Sequence, residues 1–226
     1  GCGLFCSFLT MTGCFGAVGS LSFCGSALNS ESVFATDSML ILTNGSSIVG
    51  STGPSGEPTS VVRMTKQIGA AFLVSNDCSC ISHLAITAQG NHFGRGVWLW
   101  GGGLVEDCVI TNCVSDQSAI IFGTGFNNIG GGALLYCGGT LMNCLIANCS
   151  STSGSGWHPG GGIGIVRVGA KFGGLVENCV VTNCFTSFST GGGVYAECGV
   201  VRNTLIAGNT LKSADTGAMN LHLSDA

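Results

Sequence analysis

The segment Gly173-Gly174-Leu175-Val176-Glu177-Asn178-Cys179-Val180-Val181-Thr182-Asn183-Cys184 decides the architecture, because the same pattern returns along the chain. It aligns without gaps on Gly102 to Cys113 (GGLVEDCVITNC), on Gly138 to Cys149 (GGTLMNCLIANC) and on Cys198 to Asn209 (CGVVRNTLIAGN). A weaker copy is Cys78 to Gln89 (CSCISHLAITAQ), and the five starts are 24, 36, 35 and 25 residues apart. Ahead of four copies lies a second element: Gly94 to Trp100 (GRGVWLW), Gly130 to Tyr136 (GGGALLY), Gly160 to Val166 (GGGIGIV) and Gly191 to Glu197 (GGGVYAE). Gly217 to Leu223 (GAMNLHL) looks like one more copy, cut short. A fixed period with one supersecondary unit per repeat is the signature of a stacked array.

Each unit reads as glycines, short strand, glycines, short strand, Asn-Cys bend, short strand and loop. A unit near 24 residues fits one turn of a parallel β-solenoid. A propeller blade needs about 40 residues, and a leucine-rich repeat needs a recurring Leu ladder that is missing. The 39 glycines among 226 residues disfavour helices, at about 1 kcal/mol each relative to Ala. Residues 114–129, 150–159 and 185–190 all follow the second Cys and are rich in Ser, Thr, Gly and Asn. They are expected to be loop insertions at one corner.

In a stacked coil, equivalent residues lie about 4.8 Å apart and form columns. Asp107, Asn143, Asn178 and Asn203 make one column, and Asn112, Asn148 and Asn183 another, expected to form side-chain ladders at bends. Ile110, Ile146, Val181 and Ile206 should face inward. Cys108, Cys144 and Cys179 share a position with Thr204, and Cys113, Cys149 and Cys184 share one with Asn209. Polar replacement at the column ends points to thiols used for packing and turn filling. Fourteen cysteines leave a disulfide framework as an alternative. Metal binding is weaker, because the Cys-x4-Cys pairs have no His column beside them.

The quoted repeats resemble the right-handed parallel β-helix superfamily, pectate-lyase-like in its early coils (Ser60 to Arg63 and Ile81 to Thr87). They are also similar to the repeats of polymorphic outer-membrane proteins and autotransporter passengers, best at Gly131-Gly132-Ala133-Leu134. The resemblance covers roughly residues 60–223. It implies an all-β, right-handed parallel β-helix, a single-stranded solenoid with loop insertions at one corner. Residues 1–59 are expected to be an N-terminal cap or irregular early coils, and 60–226 the coils proper, continuing beyond the C-terminus. The first 28 residues are apolar but lack a basic n-region, so they are either a degraded leader or an N-terminal coil.

Chemistry is harder to find. Polysaccharide lyases and hydrolases of this superfamily use clustered Asp with Lys or Arg, and no Asn-Thr-Asp, Asp-Asp or Arg-Ile-Lys occurs here. Glu106 and Glu177 recur at one position, as a pair for acid-base work would. Met142 and Arg202 share that column, which favours a solvated position. His83, His92, His158 and His222 show no shared spacing. No catalytic residue, metal ligand or cofactor is assigned. Seven scattered Lys and Arg and a net charge of −4 argue against nucleic acid. No apolar run is long enough for a membrane span.

The aromatic residues carry the one binding expectation. Strand alternation turns Val97, Leu99, Ala133, Leu135, Ile163, Ile165, Val194 and Ala196 inward. It turns Trp98, Trp100, Tyr136, Tyr195 and Glu197 outward on neighbouring coils, as a face for stacking sugar rings. Arg95, Trp157, His158, Arg167 and Lys171 border that face if the loops fold over it. The alternative is that residues 114–129 cover the aromatics as packing. The expected protein is a secreted or cell-surface scaffold of adhesin type, extracellular and part of a longer chain. The alternative is a β-helix that binds or cleaves a polysaccharide or surface glycan.

Overall fold

The computed structural model describes residues 10–12, 15–17, 21–24, 32–43, 45–88, 90, 94–116, 129–152, 159–167, 173–187, 190–211 and 220–223, with the backbone alone before Val33. Among these residues there is no helix, and the sheets are built almost wholly of parallel strands. From Ser32 onward the chain visits three sheets in constant order. The first sheet holds Ser32–Thr36, Ser60–Met64, Leu84–Ala88, Val109–Thr111, Leu145–Ala147, Val180–Thr182 and Leu205–Ala207. The second holds Leu40–Leu42, Ala70–Val74, Arg95–Trp100, Ala133–Tyr136, Ile163–Val166, Val194–Ala196 and Leu221–Leu223. The third holds Ser47–Val49, Cys80–Ser82, Leu104–Glu106, Thr140–Met142, Leu175–Glu177 and Val200–Arg202. Each strand pairs in parallel with the strand one circuit earlier, so Ile86, Ile110, Ile146, Val181 and Ile206 align in register. This arrangement is compatible with a parallel β-solenoid.

Parallel pairing reaches back to Ser32, within the stretch expected to be an N-terminal cap or irregular early coils, and a reversed circuit precedes it. Thr10–Thr12, Phe15–Ala17 and Leu21–Cys24 run antiparallel to the outermost strands of the third, second and first sheets. The insertions also begin later than expected. Val114–Ser115, Ser150–Ser151, Phe185–Thr186 and Thr210–Leu211 form a fourth parallel ladder before the loops leave. Strands of two residues show no alternation in sequence; stacking on the previous turn creates them.

The core is one continuous cluster enclosed by the three sheets. It contains Ile48, Ile81, Val105, Leu141 and Val176 of the third sheet and the expected inward residues of the second. The Asn columns have a conformational cause. His83, Asp107, Asn143, Asn178 and Asn203 all lie at φ between 50° and 55°, at the bend from the third sheet to the first. Asn112, Asn148 and Asn183 lie at 53° to 56°, and Gly208 takes the same place in the next turn at 69°. Asn and Gly are the residues that enter this left-handed region most easily. Side-chain ladder bonds are secondary: Asn143 Nδ2 donates to Asp107 Oδ1 at 3.1 Å. Asn183→Gly is therefore expected to leave stability within a few tenths of a kcal/mol, while Asn183→Ala costs about 1 kcal/mol. Urea denaturation of both variants checks this, and equal losses would refute a conformational origin.

The ten described cysteines are free thiols. After each bend the thiol turns inward and donates to the carbonyl two residues back. Cys108, Cys144 and Cys179 reach Glu106, Met142 and Glu177 O at 3.1, 3.1 and 3.2 Å. Cys113, Cys149 and Cys184 reach Thr111, Ala147 and Thr182 O at 3.3, 3.4 and 3.4 Å. In the last such turn Thr204 Oγ1 and Asn209 Nδ2 make the same bond, to Arg202 O at 2.9 Å and Ala207 O at 3.2 Å. The polar substitutes thus reproduce the donor.

Candidate functional site on the outer face of the second sheet

Leu73, Trp98, Leu134, Gly164, Tyr195 and His222 form one outward column of the second sheet. Trp100, Tyr136 and Val166 form the column beside it. The rings are in contact along and across the turns. Trp98 and Trp100 lie 5.2 Å apart, Trp100 and Tyr136 5.0 Å, and Tyr195 stacks on His222 at 5.6 Å with an interplanar angle of 6°.

Their exposure corrects the sequence expectation. Trp98 is 1% exposed, Tyr195 2% and Tyr136 7%, so three of the five expected contact residues are packed away from solvent. They belong to a second apolar cluster with Ala70, Leu73, Ile129, Leu134 and Val166. Alternation assigned the side of the sheet correctly but carries no information about what lies over it. Trp100 and Glu197 remain half-buried at the edge, and Tyr195 donates its hydroxyl to Glu197 Oε1 at 3.4 Å. Burial pushes the Tyr136 phenol above its ordinary range, with the neighbouring Cys137 a lesser cause. Arg167 is half-buried, while Trp157, His158 and Lys171 lie outside the described residues.

Arg95, expected at the rim, is 2% exposed instead. Its guanidinium stands 5.1 Å from the Trp98 ring centre, and Nη2 donates to Ser115 Oγ at 3.1 Å and Ile129 O at 3.2 Å. Burial lowers its pKa to about 10, which leaves it a cation at neutral pH. Cation–π attraction and the two acceptors offset the loss of hydration. Ile129 completes the arrangement by filling the slot over Gly164, where a Cβ would lie 2.2 Å from Ile129 Cγ2. One sequence signal was available for Arg95: it stands where Gly131, Gly161 and Gly192 stand in later turns.

A further set of titratable groups lies on the third sheet and its bends. Glu106, Met142, Glu177 and Arg202 align on the outside of the third sheet. Glu106 and Glu177 are therefore two strand spacings apart, about 9.6 Å, and Arg202 Nη2 pairs with Glu177 Oε2 at 2.8 Å. The Cys80 thiol lies 3.9 Å from Glu106 Oε1. Burial first, then the Glu106 charge, pushes its pKa up to about 11, so little nucleophilic thiolate exists at neutral pH. His83 Nδ1 is 3.9 Å from Asp107 Oδ2. Among the described residues no three His, Cys, Asp or Glu side chains converge to hold a metal ion, and no helix is long and apolar enough to cross a membrane. No protein-family model, curated protein or solved structure matches the chain.

Proposed function

We propose that the chain is a right-handed parallel β-helix that serves as a secreted or cell-surface scaffold of adhesin type. The observation that carries this is where the insertions leave. Residues 117–128, 153–158 and 188–189 each follow a strand of the fourth ladder in consecutive turns. Repeat proteins use segments that follow one edge of a stacked array as binding loops. Right-handedness rests on the resemblance and on the strong bias of parallel crossovers.

The test is incubation of the full chain with a panel of neutral and acidic polysaccharides, followed by size-exclusion of both components. The expected result is glycan of unchanged length. Shortened glycan would overturn the scaffold reading and make the chain a lyase or glycoside hydrolase. A second reading, glycan binding without cleavage, is favoured by the half-buried Trp100 against Tyr136 beside Glu197. Under it, co-elution is lost in Trp100→Ala and weakened in Glu197→Gln. If co-elution survives both replacements, the aromatic edge is not the binding surface.

A further inference from the structure

One nitrogen of a buried arginine bonds to residues on opposite sides of an insertion. Arg95 Nη2 donates to Ser115 Oγ at 3.1 Å, just before residues 117–128, and to Ile129 O at 3.2 Å, directly after them. This insertion is the longest segment that follows a strand of the fourth ladder. Its two ends have further contacts. Val114 and Gly94 exchange both backbone bonds, at 2.8 and 3.0 Å, and Gln67 Nε2 donates to Asp116 Oδ2 at 3.4 Å. Gly130 N donates to Pro159 O at 3.4 Å, and the Ile129 side chain fills the slot over Gly164. Neighbouring turns cannot supply the same bond. Ala70, paired with Arg95 in the turn before, carries no side-chain donor. Gly131 and Gly161 take the place of Arg95 in the turns after. There a Cβ would lie 2.1 Å from Ser150 O and 2.3 Å from Phe185 O, so no side chain fits.

We infer that Arg95 is a clamp: its one buried guanidinium fastens the outgoing and returning ends of insertion 117–128 to the aromatic face of the second sheet. Burial is what gives the clamp its grip. Movement of either end outward strips an acceptor from a cation held away from water, and a buried charge that loses a partner is costly. The Trp98 ring adds a cation–π contact to the same group, at 5.1 Å from its centre. Fixing both ends removes freedom from the segment between them, which lessens the entropy that segment loses when it meets a partner. The inference holds for a scaffold and for a glycan binder alike, because it concerns only how the insertion is rooted.

The experiment is native-state hydrogen exchange of the full chain, read amide by amide by NMR. Two variants are compared with the wild type. Arg95→Met keeps a long apolar stem without the donors, and Ser115→Ala removes one acceptor and keeps the cation. In Arg95→Met the amides of Val114, Gly130 and Gly131 are expected to exchange at least about tenfold faster. Those of Leu175 and Val180, bonded to Gly139 O and Cys144 O elsewhere in the stack, should keep the wild-type rate. Ser115→Ala should accelerate Val114 alone, since Ile129 O still accepts from Arg95. Unchanged exchange at both ends in Arg95→Met would overturn the proposal. So would acceleration spread evenly over all turns, the mark of a residue that only fills space. Should Arg95→Met fail to fold, Ser115→Ala decides the matter: a wild-type rate at Val114, or equal acceleration at Val114 and Val180, would refute the clamp.

Discussion

Gly161→Ala is expected to lower the stability of this chain by about 3 kcal/mol or more. The added Cβ would lie 2.3 Å from Gly192 O and 2.3 Å from Phe185 O. Both atoms are backbone, one in the next turn and one in the fourth ladder, so no side-chain rotamer relieves the clash. Gly131 meets the same obstacles one turn earlier, at 2.1 Å from Ser150 O and 2.5 Å from Gly161 O. The third glycine of each triplet has another neighbour. A Cβ at Gly132 would lie 3.2 Å from Cys149 Sγ, and one at Gly162 3.1 Å from Cys184 Sγ. Closer still are Ile146 Cγ2 at 2.6 Å and Gly162 O at 2.9 Å for Gly132, and Val181 Cγ1 at 2.7 Å and Gly193 O at 2.8 Å for Gly162, so the inward aliphatic column and the next turn's backbone leave room for glycine alone. Urea unfolding of Gly161→Ala against Gly56→Ala separates crowding from glycine entropy. Gly56 has nothing within 4 Å of the would-be Cβ, although its φ of 85° strains alanine by itself. A loss at Gly161 no larger than at Gly56 would show that the close approach is not limiting.

Trp98→Ala is expected to cost about 3–5 kcal/mol, the range for removing a large buried aromatic. Trp98 is among the largest fully buried side chains, and its loss opens a cavity and takes the ring away from the Arg95 guanidinium. A buried cation deprived of a favourable contact adds to the penalty. Trp100→Ala, at a half-buried position, should cost distinctly less. Comparing the two by denaturation discriminates packing from surface. Equal small losses in both would mean that the outer face of the second sheet is open to solvent after all.

How far the sequence reveals this molecule depends on which residues repeat. The turn-by-turn register was legible, because the inward Ile110, Ile146 and Val181 and the bend residues Asn143 and Asn178 answer to one constraint in every copy. The reversed circuit of residues 10–24 was not legible, because that segment matches no other part of the chain and strand direction leaves no mark on composition. The burial of the aromatic face was half legible. Gly164 interrupts the otherwise bulky outward column of Trp98, Leu134 and Tyr195, and a small residue at such a place marks a slot for something else. That the filler is Ile129 is a matter of tertiary placement, which alternation along a strand does not encode.

The antiparallel first circuit covers the outer edges of Ser32–Thr36, Leu40–Leu42 and Ser47–Val49, which would otherwise be open to pairing. Each later turn uses its predecessor as template, with the same bends and the same inward residues. Length is then a modular quantity. A whole turn duplicated between Gly102 and Gly199 would find its register already laid out on both sides and leave the reversed circuit untouched. Gain and loss of complete units is the natural way for such a chain to change its reach, whereas a deletion of a few residues within a turn would shift every column above it.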